Sequence, residues 1–428
     1  MRLLLITLGS HGDVHPFVGI AQALKRRGHN VAVMTNPHFG PLVERAGIAF
    51  EPVGSVETFN RWLDDPDVWH PHKGPARVMH GVAETLEETF NRTAGIAPRM
   101  DAVVGSSLCL GSLSAAEKMG FPYATAHLAP ICVRSTIELP TLPGGVNLSF
   151  MPAFMKRKFW DGADEWFIDP NIAPALNKLR TAHGLPAVKH VLGSHWNAPM
   201  LTLGLWPDWF GPRLPDHPDQ LRLTGFPLYD EADITPISSE LDAWLNAGDA
   251  PIAFTPGSAM KHGRSFFQSA SDACVRIGRR GILLTRHAEQ IPAKLPDGVI
   301  HVPYAPFGAL LPRVAVMVHH GGIGTTAQCL RAGVRQCIMP MTHDQPDNAS
   351  RCVKLGVART LPRWRFSKRA LARTLGQLLT DPNVARATQD IARRFHPDPA
   401  KPHPLDLTCQ LIEELAARAN SPQTPEKS

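Results

Sequence analysis

A chain of 428 residues, 43% hydrophobic and 19% charged, is too long for one ordinary domain and too apolar for a disordered or acidic-tail protein; at roughly 150 residues per domain it should hold two or three. A formal charge of +6 spread over that length is too dilute to argue for nucleic acid as a partner. The 40 Pro and 34 Gly, with no Gly-X-Y period, exclude collagen and point to long loops.

The seven Cys are scattered, odd in number and form no C-x-x-C pair. That pattern argues against a disulfide framework or a zinc ribbon and fits a reducing cytoplasm. No apolar run is long enough to span a bilayer. The opening MRLLLITLGSHGD has too short an apolar stretch for a signal-peptide core and reads as a first β-strand, so a cytoplasmic protein is expected.

In chain order, Arg2–Thr7 is a strand-like run ending in the loop Gly9–Asp13, and Pro16 then opens a helix carrying Phe17, Ile20, Ala21 and Leu24 on one face. Val31–Thr35, Asp101–Gly105 and Tyr123–His127 are further buried strands. Arg61–His80 and Phe150–Phe167 break this alternation with aromatic residues. Such insertions either line an apolar pocket, in which case Trp62, Phe154 and Trp160 with His11 mark it, or pack long loops onto the core. The Pro-dense stretch Trp206–Pro236 reads as the approach to a second block, with the linker at 226–250.

The same grammar restarts at Pro251 with strands Ile252–Thr255, Gly281–Thr285, Val299–Val302 and Val314–Val318 and a helix near Ser265–Ile277. Helices at Lys368–Leu379, Val384–Phe395 and Leu405–Ala419 follow, then a polar tail. Continuous apolar strands alternating with helices predict parallel sheets covered on both faces. The expected fold class is α/β, two Rossmann-like doubly wound domains facing across a cleft. The predicted divisions are 1–225, a linker 226–250, 251–402, and a C-terminal helix with tail, 403–428.

The strongest constellation is His319-His320-Gly321-Gly322-Ile323-Gly324-Thr325-Thr326, between a strand and a helix. Glycines at such a turn admit a ligand to the backbone, and the free N–H groups of the first helical turn, with the Thr325 and Thr326 hydroxyls, suit anionic oxygens. The alternative is a Gly-rich turn made for close packing. Gly322-x-Gly324-x-x-Ala327 also matches a dinucleotide fingerprint, with Asp344 about twenty residues on. Asp344, however, sits in the polar loop Pro340–Asn348, which suits several hydroxyls better than one ribose edge.

The first loop, Gly9-Ser10-His11-Gly12-Asp13-Val14-His15-Pro16, should face the cleft. Asp13 there is either a helix cap or a general base. Asp65-Pro66-Asp67 follows no strand and reads as a solvated loop rather than a metal–diphosphate site. His70, His72 and His80 lack the partners of a zinc site. Lys156-Arg157-Lys158, beside aromatics, reads as a solvated helix face, with contact to a membrane surface as the alternative.

Taken together these motifs resemble the inverting nucleotide-sugar glycosyltransferases of the GT-B fold, family 1/28 type, over nearly the whole chain. Thr224–Leu228, Tyr304–Pro312 and His343–Ala349 look closest to the rhamnosyltransferase subunits of rhamnolipid synthesis. The resemblance implies Asp13 as catalytic base and His320 on the donor diphosphate, beside Ser258, Gly322, Gly324 and Thr325. It places Tyr304 and Ala305 at the nucleobase and Asp344 and Gln345 at the sugar. The position of a ribose-binding Glu in plant-type members is Gln328 here, which is compatible with a deoxythymidine donor. No acid stands near Ser106-Ser107-Leu108 to orient a His base, and with Asp13 as base none is required.

The implied reaction moves a hexose or deoxyhexose from a UDP-glucose- or dTDP-rhamnose-type donor to a hydroxyl of an apolar acceptor: a lipid, sterol, polyphenol or polyketide-like molecule. No metal or other cofactor, and no nucleic-acid partner, is expected. Peripheral contact with the inner membrane face is compatible with such an acceptor. The rival readings are a sugar-nucleotide epimerase or hydrolase on the same fold, a nicotinamide-dependent oxidoreductase, and a non-catalytic binding subunit.

Overall fold

The computed structural model describes residues 1–231, 235–396 and 402–419. Thirteen strands form two sheets among these residues. The first holds β1 (Arg2–Ile6), β2 (Asn30–Thr35), β3 (Ala49–Pro52), β4 (Ala102–Ser106), β5 (Tyr123–His127), β6 (Leu201–Gly204) and β7 (Leu221–Leu223), in the order β3-β2-β1-β4-β5-β6-β7. The second holds β8 (Ile252–Thr255), β9 (Gly281–Leu284), β10 (Val299–Val302), β11 (Val316–His319), β12 (Arg335–Ile338) and β13 (Ala358–Thr360), in the order β10-β9-β8-β11-β12-β13. Every pairing is parallel. β1, β4, β5, β8 and β11 are buried almost throughout, as strands covered by helices on both faces must be. This is the GT-B architecture.

Strand order reverses at β1/β4 in one sheet and at β8/β11 in the other. A crevice opens beyond the carboxyl ends of the strands at such a reversal, because the flanking connections leave in opposite directions. The loops after β1, β4, β8 and β11 therefore form the site.

Two sequence expectations are corrected. The first helix spans His11–Arg26 and begins at the Ser10 cap, not at Pro16. Pro16 lies inside it, and its missing N–H leaves the Gly12 carbonyl without a helical donor. The first part of the Pro-dense stretch Trp206–Pro236 belongs to the first domain rather than to an approach to the second block, since β7 closes the edge of the first sheet. Short strands such as β7, β12 and β13 carry too few residues to show a period.

One apolar cluster crosses from Ala129, Trp206, Phe210 and Phe226 to Ile323, Leu330, Ile338 and Cys352, which joins the two halves. The helix Pro404–Ala419 lays Cys409, Ile412, Leu415 and Ala416 into the core of the first half. Glu413 takes two 2.7 Å hydrogen bonds from the Arg27 guanidinium and contacts His29 at 2.6 Å. Those partners hold its carboxyl down to about 2. The predicted polar tail, 420–428, lies outside the described residues.

Candidate active site

A cavity of about 1270 Å³ lies between the two sheets and reaches all four loops. On its first-domain side, Ser10 caps the helix His11–Arg26 and Asp13 occupies its third position. Asp13 Oδ2 accepts from the Ser10 N–H at 2.7 Å and from the Ser10 hydroxyl at 3.1 Å, completing a capping box. The carboxylate thus caps its helix and also lines the cavity. Gly9, at φ +130°, makes this possible: a Cβ there would sit 2.3 Å from Asp13 Oδ2. Burial raises the Asp13 carboxyl above the ordinary carboxylate range, outweighing the hydrogen bonds from Ser10 that favour the charge.

Across the cleft, His320 follows β11, and Gly322 opens the helix Ile323–Ala332. The two helix N-termini face each other, so that a Cβ on Gly324 would come to 3.8 Å from the Gly12 Cα. A Cβ on Gly257 would lie 2.8 Å from the His320 ring and one on Gly322 2.5 Å from it, so the imidazole is held between two glycine turns. Burial keeps that ring neutral, lowering it to about 4, and its Nδ1 has no partner among the described residues. Gln328 Oε1 is another buried polar atom with no partner among the described residues, while its Nε2 contacts the Tyr229 carbonyl at 3.5 Å. Free helix N–H groups, a neutral imidazole and glycine turns are a donor set fitted to an anion.

Ser258, Tyr304, Ala305, Thr325, Asp344 and Gln345 line the same cavity, with His11, Trp62 and Trp160 on the opposite wall. Tyr304 donates to the Asp230 carbonyl at 3.1 Å, and the Arg286 guanidinium lies 4.9 Å from its ring centroid. Asp344 accepts from Asn348 Nδ2 at 2.7 Å. Burial raises its carboxyl to about 7, and the nearby Asp13 charge pushes the same way. Gln345 Oε1 accepts from the Met341 and Thr342 N–H groups, which leaves only its Nε2 for a ligand.

Phe154 does not belong to this set. It is 58% exposed on the helix Ala153–Ala163, which turns Phe159, Trp160 and Ala163 to the cavity instead. Thr326 is also excluded: it is fully buried and is not among the residues that line the cavity. Lys156 is no part of a solvated face: it is 6% exposed and donates to the Ile137 carbonyl at 2.7 Å. Asp65 caps the turn at Pro66–Trp69 and pairs with Arg77. Of the histidines at 70, 72 and 80, only His72 reaches the cavity. Among the described residues no cluster of three His, Cys, Asp or Glu is placed to hold a metal ion, and no helix is long and apolar enough to cross a membrane.

Sequence reasoning missed Arg286, whose Nη1 reaches His11 Nε2 at 3.2 Å, and gave Ser107 no role. Both stand just past the carboxyl ends of strands, β9 and β4, and that position was the available signal. It also missed Gly81, against which the Trp62 ring lies so closely that a Cβ would fall 1.1 Å from Trp62 Cζ2. Gly81→Ala should therefore displace Trp62 from the wall, costing about 1–3 kcal/mol of stability. Thermal unfolding and tryptophan fluorescence check this, and an unchanged spectrum and midpoint would refute it.

Residues 3–137 match the model of the glycosyltransferase family 28 N-terminal domain, and 275–414 that of the erythromycin biosynthesis protein CIII-like C-terminal domain. The O-mycaminosyltylonolide 6-deoxyallosyltransferase of Streptomyces fradiae is 31% identical, over 99% of this chain and all of its own length. Glycosyltransferase GtfE of Amycolatopsis orientalis is 31% identical over 83% of this chain and 85% of that one. Among solved structures, the glycotransferase of kitacinnamycin superposes with a TM-score of 0.76 at 20% identity, covering 97% of this chain and 99% of that one. Glycosyltransferase VinC in complex with DTDP gives 0.67 at 21% identity, covering 98% and 100%.

Proposed function

Because the chain belongs to the family 28 and EryCIII-like glycosyltransferases, enzymes built on the GT-B fold, we propose that it transfers a hexose or deoxyhexose, with inversion, from a nucleoside-diphosphate sugar to a hydroxyl of an apolar acceptor. The observation that carries this reading is the opposition of two helix N-termini across one cavity. One bears the buried Asp13 carboxylate, the other the glycine turn beside His320.

In the proposed step, the acceptor hydroxyl gives its proton to Asp13 as its oxygen bonds to the anomeric carbon. The bond from that carbon to the diphosphate oxygen breaks, and the nucleoside diphosphate leaves. The first N–H groups of the helix Ile323–Ala332, with His320, Ser258 and Thr325, meet the developing charge, so this reading calls for no metal. Tyr304 and Ala305 bound the nucleobase pocket, and Gln328 Oε1 accepts from the pentose. Asp344 and the Gln345 Nε2 hold the sugar.

A dTDP-deoxyhexose, rhamnose included, suits the donor side better than UDP-glucose, since a neutral Gln328 replaces a ribose-binding carboxylate. Support comes from the 6-deoxyallosyltransferase relative and from the DTDP-bound VinC neighbour. The acceptor side is mostly apolar, with Trp62, Trp69, Phe159, Trp160 and Ile172 among its walls, and suits a polyketide-like or lipid molecule. For a lipid acceptor, exposed Phe150, Phe154 and Trp166 support contact with the inner membrane face from the cytoplasm. The nicotinamide alternative is not favoured by the transferase family.

A panel of dTDP, UDP, dTDP-rhamnose and UDP-glucose read by thermal shift tests the donor. A ligand at a hundred times its Kd should stabilise the folded state by about 2.7 kcal/mol. Thymidine compounds should give the larger shift, and no shift with any of the four would sink the donor reading.

A further inference from the structure

The acceptor side of the cavity contains a hydrogen-bond chain that the reaction above does not use. Ser107, just past β4, lines the cavity and is only half-buried. Its Oγ lies 2.7 Å from His127 Nδ1, and His127 Nε2 lies 3.0 Å from Asn197 Oδ1. Asn197 Nδ2 donates to the Gly193 carbonyl at 3.0 Å, which turns its oxygen toward the ring.

The far end of this chain dictates its direction. An amide oxygen only accepts, so His127 Nε2 carries the proton. Burial holds the ring neutral, lowering it to about 4, so Nδ1 is bare and accepts in turn. The Ser107 hydroxyl must then donate inward. Its lone pairs are left for other donors, and the side chain lines the cavity. Cys132 Sγ is the other acceptor within reach of that hydroxyl, but at 3.9 Å against 2.7 Å to His127 Nδ1 it is the weaker one, so the single Ser107 proton goes to the ring.

The hydroxyl that is glycosylated has one proton, and transfer sends it to Asp13. It cannot also satisfy Ser107. β1 pairs with β4, Ile6 opposite Gly105, and β4 with β5, Ser106 opposite Ala126. Asp13 and Ser107 follow these neighbouring strands and line the same cavity, and Cys132 feels both the Asp13 charge and the Ser107 hydroxyl. An acceptor with two neighbouring hydroxyls can address both groups from within that one cavity.

We infer that Ser107 is a positioning residue for a second hydrogen-bond donor on the acceptor, so that the acceptor is an apolar molecule bearing another hydroxyl beside the one that receives the sugar. This rests on the glycosyltransferase reading and specifies its acceptor class. His127 and Asn197 act through Ser107 by fixing which way its proton points.

The test compares binding of decane-1,2-diol and 1-decanol to the full chain in the presence of dTDP, read by tryptophan fluorescence. The diol should bind roughly fivefold more tightly, the effect of one neutral hydrogen bond. Ser107→Ala should erase the preference by weakening the diol alone, and Ser107→Thr, which keeps the hydroxyl, should retain it. Equal binding of the two by the unmodified protein, binding of neither, or a preference that survives in Ser107→Ala would overturn the inference. Nitrogen NMR of His127 should show the neutral Nε2–H tautomer, and an Nδ1–H tautomer would overturn it independently. Binding of dTDP separates the two levels: if dTDP binds without a diol preference, only the role of Ser107 fails, whereas failure to bind any nucleotide removes the reading beneath it.

Discussion

Asp13→Asn is expected to lower kcat for transfer by roughly a hundred- to ten-thousand-fold while leaving donor affinity within about twofold, because only the proton acceptor is lost. Asn is the informative replacement. Asp13 Oδ2 also accepts from the Ser10 N–H and hydroxyl, and an Asn carbonyl oxygen preserves those contacts. Asp13→Ala removes base and cap together and should cost about 1 kcal/mol of stability besides the activity. Steady-state transfer assays with nucleotide binding measured in parallel check both. A kcat within threefold of the unmodified enzyme in Asp13→Asn would remove Asp13 from the mechanism. The pH profile carries the same assignment, since a base works only when ionised. Burial raises the Asp13 carboxyl, so kcat/KM should climb with pH through a limb above the ordinary carboxylate range. Asp13→Asn should lack that limb.

Asp344→Asn is expected to stabilise the protein at pH 8 and to leave it nearly unchanged near pH 4. Burial raises the Asp344 carboxyl from 3.8 to about 7, so between those values the folded state holds a proton that the unfolded chain releases. Stability contributed by the protonated carboxyl is therefore complete below pH 3.8, falls as pH rises, and is gone above about 7. At about 1.36 kcal/mol per pH unit, the loss is on the order of 4 kcal/mol. Asn has no charge to desolvate, and its oxygen still accepts from Asn348 Nδ2. Denaturation of both proteins at pH 4.5 and pH 8 measures the difference, and a gap that does not widen with pH would refute it. The same variant should lower kcat/KM for the donor, because the charge that costs stability is the one assigned to the sugar hydroxyls. A site that keeps a costly buried carboxylate for its ligand is the usual trade between stability and activity.

The sequence was enough for the repeating strand–helix grammar, because continuous apolar runs such as Leu3–Ile6 and Val316–Val318 are set by local composition. It was enough, too, for the two glycine-bearing loops, since the turns after β1 and β11 need Gly9 and Gly321 at positive φ whatever surrounds them. Local pattern also proposed Asp13 as either cap or base, and could not choose.

The tertiary structure showed why the choice was not exclusive: the carboxylate caps its own helix while its burial, a property of both domains together, raises its pKa. Chain folding also decided what local pattern could not reach. Phe154 and Trp160 share one aromatic segment, yet helical phase turns only the second to the cavity. Lys156 looked solvated, but its ammonium donates a hydrogen bond to a carbonyl 19 residues earlier in the chain. Ser107, His127 and Asn197 lie too far apart along the chain for any spacing rule, and their hydrogen bonds exist only because β4, β5 and β6 lie side by side within the first sheet. Residue type and short-range order determine which groups are present and which turns can form. Long-range packing determines which of those groups face one another, how dry they are, and so which protons they hold.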